Sequence, residues 1–163
     1  MYSQDYDEQY VSSYAEVDGG AGFSGTDYSW RMALLPYIRN VQIFQCASYR
    51  PTAKFDGNGG DVGENGGYAM NAVHWESGAP TPPSGVADSA IWDASNVVTF
   101  TDFNDAINLS YAANTHDFIR SDAASNRHND GANYAFYDGH VKFMKRTAVQ
   151  CSSGDCMWSV EVE

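Results

Sequence analysis

The chain has 163 residues, with nine Lys and Arg against 21 Asp and Glu, and a formal charge of −12. That length suits one domain with a real core, and 43% apolar against 18% charged residues excludes global disorder. The acidic balance excludes a nucleic-acid surface, which needs a concentrated positive field, and no run reaches the ~20 apolar residues that cross a bilayer.

Tyr2, Tyr6, Tyr10 and Tyr14 recur every four residues, the spacing of one ridge on a helix surface. Residues 1–17 are therefore predicted as the end of a helix, stopped by Gly19-Gly20-Ala21-Gly22. No cap precedes its first residue, so the helix is expected to begin upstream of Met1. No secretory leader is visible, since a positive start and an apolar stretch are both missing. Thr26-Asp27 is predicted to cap a second helix through Trp30, Ala33 and Leu34, which Pro36 kinks or ends. Ile43-Phe44 is a short apolar piece ahead of Cys46. Residues 51–67 are a glycine-rich loop, Tyr68 to Trp75 a strand, and residues 77–94 a proline-containing loop. Val97 to Thr101, β-branched and aromatic, is the clearest strand, and residues 104–126 are a long polar connection.

Residues 127–146 hold the strongest local signal. Asp138-Gly139 separates two alternating runs, which predicts a two-residue type I′ hairpin. Phe136 then faces Val141 and Tyr134 faces Phe143, and these four form the core face. Early helices and late antiparallel strands give an α+β domain.

Several groups carry possible chemistry. Asp56, Asn58, Asp61 and Glu64 place oxygen donors in a flexible loop and suit Ca²⁺, although the spacing is not that of an EF-hand. A solvated Asx-turn loop explains the same residues. Asp102-Phe103-Asn104-Asp105 is a smaller second candidate. Cys151 and Cys156 bracket Ser-Ser-Gly-Asp and can close as a disulfide in an oxidising compartment, leaving Cys46 as a small buried residue; pairing of Cys46 with either remains open. Zinc is not expected, because no second Cys or His pair has ligand spacing. His128 is expected to staple its own loop while Asp138 sets the turn; the alternative is a metal or catalytic role with Asp102 or Asp138. A hydrolase using Ser125, His128 and Asp102 lacks a Gly-x-Ser-x-Gly elbow. Trp30, Trp75, Trp92 and Trp158 are either core residues or a sugar platform. Residues 1–30 hold Asp5, Asp7, Glu8, Glu16, Asp18 and Asp27 without one cation, whereas Arg120, Arg127, Lys142, Lys145 and Arg146 are five of the nine cations. Opposite ends of one subunit can therefore attract each other or a neighbouring subunit; a solvated acidic face explains the same residues.

His128 is followed by nine residues and then Asp138-Gly139. This resembles the signature of bacterial prepilin-like proteins whose C-terminal domain is named for that spacing. Tyr2 to Glu8, Leu35-Pro36-Tyr37-Ile38-Arg39-Asn40 with Ile43-Phe44-Gln45-Cys46, Gly67 to Asn71 and Val98 to Asp102 resemble further segments of that family, in the same order. Ala47 stands where the family has Pro.

The resemblance implies a pilin-like head: an N-terminal helix packed on an antiparallel sheet, with a membrane-spanning apolar helix preceding Met1. It implies a non-catalytic structural subunit of a type IV pilus-like or type II secretion pseudopilus-like filament. Such a subunit is anchored in the inner membrane before assembly and is later extracellular or at the cell surface. Its partners are copies of itself or other pilin-like subunits, and pseudopilins of this kind use a loop calcium. Two alternatives stand beside it: a secreted glycan- or surface-ligand-binding module using residues 74–92, and a metal-dependent hydrolase.

Overall fold

Burial alternates along residues 132–136: Ala132, Tyr134 and Phe136 are covered, while Asn133 is open and Ala135 half-open. That is the period-2 pattern of a strand with one face on a core. The computed structural model describes residues 2–12, 14–15, 28–49, 67–71, 83–103, 127–149, 151–152 and 155–160. Within them lie helices α1 (Tyr2–Asp5) and α2 (Trp30–Ile38). The strands are β1 (Tyr14–Ala15), β2 (Tyr28–Ser29), β3 (Tyr68–Met70), β4 (Val98–Asp102), β5 (Ala132–Phe136), β6 (Val141–Met144), β7 (Cys151–Ser152) and β8 (Asp155–Cys156). Strands β3 to β6 form one antiparallel sheet in chain order, and β1–β2 and β7–β8 are separate pairs. The architecture is α+β.

One face of the sheet carries Ala69, Val98, Ala132, Tyr134, Phe136 and Met144, closed by Phe103, Val149 and Trp158. On the other side, Met70 and Phe100 pack with Val11, Trp30 and Phe44, and the inner side of α2 lies over them. β4 is covered on both faces, as a central strand should be.

α2 starts at Ser29, not at Thr26 or Asp27, which lie outside the described residues. Ser29 Oγ accepts from Arg31 N at 3.2 Å and satisfies one of the free amides of the first turn. Pro36 sits inside the helix, which ends two residues later with Arg39 in the left-handed region at φ 55°.

The expected helix over residues 1–17 is corrected to a single turn, Tyr2–Asp5. Asp7 and Glu8 take φ of 53° and 57°, which ends it. Beyond them the backbone runs alongside residues 85–88: Tyr10 N donates to Val86 O at 2.8 Å and Asp88 N to Glu8 O at 2.7 Å. The tyrosines scatter accordingly. Tyr2 stacks on Tyr6 at 4.3 Å, and Tyr10 meets Phe100 and Tyr137 instead of Tyr134 and Phe143.

The hairpin turn is also corrected. Of its loop residues only Gly139 has positive φ, at 91°. Phe136 O accepts from Gly139 N and Phe136 N donates to His140 O, each at 2.9 Å, which makes a three-residue loop with glycine in the left-handed position. A type I′ turn would force Asp138 to positive φ, costing an L-residue roughly 1–2 kcal/mol. The register therefore moves by one: Asn133 faces Phe143, Tyr134 faces Lys142 and Ala135 faces Val141. Such a slip turns a strand over. Tyr134 and Phe136 keep the core face, Met144 joins them, and Val141 and Phe143 are 64% and 48% exposed. Left-handed conformation at two successive central residues, as in a type I′ turn, occurs instead at Asn129 and Asp130.

Burial pushes the Tyr10 and Tyr68 phenols up to about 12 from an ordinary 10.0. A raised folded value means that ionisation favours the unfolded chain. Their contribution to stability is intact below pH 10 and is lost as pH rises through 12. Alkaline unfolding followed by circular dichroism should fall in that window, and Tyr10→Phe should move its midpoint upward. An unchanged midpoint would remove Tyr10 from this account.

Candidate functional site

Cys46 reaches the interior through a short chain of local causes. After α2, Asn40 Oδ1 accepts from Gln42 N at 2.9 Å and caps a 3₁₀ turn, Val41–Phe44. Phe44 packs edge-on against Trp30 at 5.6 Å. Two residues on, Cys46 is buried and free.

Asp102 ends β4 at 1% exposure. Its Oδ2 accepts from Asn133 N at 2.7 Å and Asn133 Nδ2 at 3.0 Å, while Oδ1 has no hydrogen-bond partner among the described residues. His128 closes a tight turn with Gly131 by paired backbone bonds of 3.1 and 3.2 Å. The turn aims its ring inward: Nε2 stands 3.5 Å from Cys46 Sγ and 3.5 Å from Asp102 Oδ2. The sulfur, nitrogen and oxygen all lie within 4.8 Å of one another.

Neighbouring groups hold this junction closed. Arg127 donates to Gly67 O at 3.1 Å and Phe103 O at 2.6 Å and stacks on the Tyr49 ring at 4.6 Å. Gly67, at φ 87°, is needed there, because a Cβ would come within 2.8 Å of Arg127 Nη1 and 3.0 Å of Cys46 Cβ. Tyr68 is the register partner of Asp102, and its raised phenol reflects burial first, then the nearby Cys46 and Asp102.

In a nucleophilic relay the imidazole takes the nucleophile's proton on one nitrogen and is oriented through the other. Here Nε2 faces both Cys46 and Asp102. What the arrangement offers is three converging donor atoms of different kinds.

His128 and Asp138 act separately. Asp138 Oδ1 accepts from His140 N at 3.0 Å and lies 2.6 Å from His140 Nδ1, and the backbone bond from His140 holds the Asp138 carboxyl below its usual range. Asp56, Asn58, Asp61 and Glu64 lie outside the described residues, as do Trp75, Ser125, Asn104 and Asp105. Trp30 and Trp158 are core residues, which removes them from a sugar platform; Trp92 is 39% exposed. The convergence of Cys46 with His128 is not legible in the sequence, because 82 residues separate them and no ligand spacing betrays it.

Cys151 and Cys156 are register partners across β7 and β8, with their side chains outside the described residues. Paired antiparallel residues have Cα atoms about 4.5–5.5 Å apart, inside the disulfide range of about 4.4–6.8 Å. Protein purified in air should therefore lose two hydrogens from its intact mass, and alkylation after denaturation without reductant should label Cys46 alone. Labelling of all three cysteines would exclude the bond.

No described helix is long and apolar enough to cross a membrane. No family model matches this chain, and no curated protein or solved structure matches it.

Proposed function

We propose that this chain is the non-catalytic head of a pilin-like filament subunit. The collinear order of the matched segments, from Tyr2–Glu8 through Gly67–Asn71 and Val98–Asp102 to His128 and Asp138-Gly139, carries the reading. The use of Asp138 and Gly139 supports it: both shape the turn between two strands. The division of charge supports it too, since acidic residues 1–30 and the basic stretch around Lys142 and Lys145 can meet between successive subunits. The single-turn α1, with Tyr10 on Phe100 and Tyr137 and not on Tyr134 and Phe143, counts against the helix-on-sheet packing this reading expects, so the reading rests on the motifs and the charge.

The test is made in cells that carry the gene. Surface appendages are sheared off and probed with an antibody to this chain, after zero-length carboxylate-to-amine cross-linking. The chain should sediment with filaments, and peptides from residues 1–30 should be joined to Lys142 or Lys145 of another copy. A chain recovered solely as a soluble monomer, without intermolecular links, would overturn the reading.

A further inference from the structure

We propose that Cys46, His128 and Asp102 together bind one divalent transition-metal ion of the zinc type, at the end of the sheet where β4 meets the His128 turn. The distances fit. A tetrahedral ion with bonds of about 2.0–2.3 Å sets its donors roughly 3.3–3.8 Å apart. The sulfur–nitrogen and nitrogen–oxygen separations are both 3.5 Å. The donor set is selective: thiolate and imidazole favour zinc and its neighbours over the oxygen-seeking Ca²⁺ and Mg²⁺. Charge balances as well, because a thiolate and a carboxylate bring two negative charges to a dication, the thiol proton leaving as the metal binds.

An independent observation points to a missing partner. Asp102 is 1% exposed and its Oδ1 has no hydrogen-bond partner among the described residues. A buried carboxylate oxygen in that state costs free energy, which an ion drawn to both oxygens of Asp102, Oδ2 near Nε2 and the unpartnered Oδ1, would recover. Asn133 already orients the same carboxylate with two bonds to Oδ2, the supporting role that outer groups play around metals. Arg127 nearby donates to two carbonyls and stacks on the Tyr49 ring. The side chain of His128 is 26% exposed, leaving a route for the ion and room for a water as fourth ligand.

The experiment is a Co²⁺ titration of untagged, chelator-treated full chain. The expected result is a near-ultraviolet sulfur-to-cobalt charge-transfer band with intense visible bands, saturating at one equivalent and erased by Zn²⁺. Cys46→Ser should lose the charge-transfer band, and His128→Gln, altered on a partly exposed turn, should weaken binding about tenfold or more. Far-ultraviolet circular dichroism of each metal-free variant separates loss of the site from loss of the fold. Should Cys46→Ser fail to fold, sulfur scattering at the bound metal in X-ray absorption of the unaltered chain answers the same question. Asp61→Asn and the double variant Cys151→Ser/Cys156→Ser should keep the spectrum. No charge-transfer band in the unaltered chain, no sulfur at the metal, or the same spectrum in a folded Cys46→Ser variant would overturn the proposal.

Discussion

Trp30→Ala should lower stability by about 3–5 kcal/mol, the usual range for removing a buried large aromatic. Trp30 is 4% exposed and joins α2 to the sheet, with its ring 4.8 Å from Phe100 and 5.6 Å from Phe44. At about 2–4 °C per kcal/mol for a chain of this size, the melting temperature should fall by roughly 6–20 °C. Trp30→Phe should restore most of that loss. A thermal melt followed by circular dichroism measures both, and a fall of only a degree or two for the alanine variant would mean that α2 is not needed to cover the sheet.

Asn71→Leu should cost nearly as much by a different route. The Asn71 side-chain amide donates to Val98 O at 2.8 Å and to Trp158 O at 2.9 Å, and Asn71 is 2% exposed. It therefore ties the end of β3 to β4 and to the C-terminal segment at once. Leucine has the same branched skeleton, with bulkier methyl tips, but offers no donor. Each orphaned buried carbonyl costs about 1–3 kcal/mol, giving roughly 2–6 kcal/mol in all. The effect should be local before it is global. Val98 N still donates to Met157 O at 2.7 Å, so the segment remains tethered but looser. Limited trypsin digestion should cut sooner after Lys145 and Arg146 in the variant than in the unaltered chain. Equal cleavage rates with equal melting temperatures would show that the two carbonyls find other donors.

What could be read from the residues alone divides along physical lines. The run from Val98 to Asp102 declares a strand because its β-branched and aromatic side chains suit a pleated, buried surface. Tyr134 and Phe136 declare a core face by alternation. The partner strand does not, because its register is decided by one dihedral at Asp138, and a one-residue change reverses Val141 and Phe143. The tyrosines at every fourth position mimic a helix ridge, yet spacing says nothing about where backbone amides find acceptors. Here Tyr10 N finds Val86 O instead of a helical carbonyl. The cap of α2 was three residues from its expected place because Ser, Thr and Asp all serve as caps and three of them stand close together. Cys46, Asp102 and His128 each stand out in the sequence for separate reasons. Their meeting depends on the 3₁₀ turn after α2, the end of β4 and a left-handed pair at Asn129-Asp130, none of which is a pattern in sequence.

The turned-over register also leaves the hem of the sheet adhesive. Among the described residues β6 has no neighbour beyond it in the sheet order, and Val141 and Phe143 flank its open row of amides and carbonyls. Such a margin is a template on which another extended chain can zip. Lys142 and Lys145 punctuate it with like charge that repels a second copy of the same stretch. Acetylating those two amines would leave the core untouched and strip the gatekeepers, so fibrils nucleated along this border are the hazard built into the loop at Gly139.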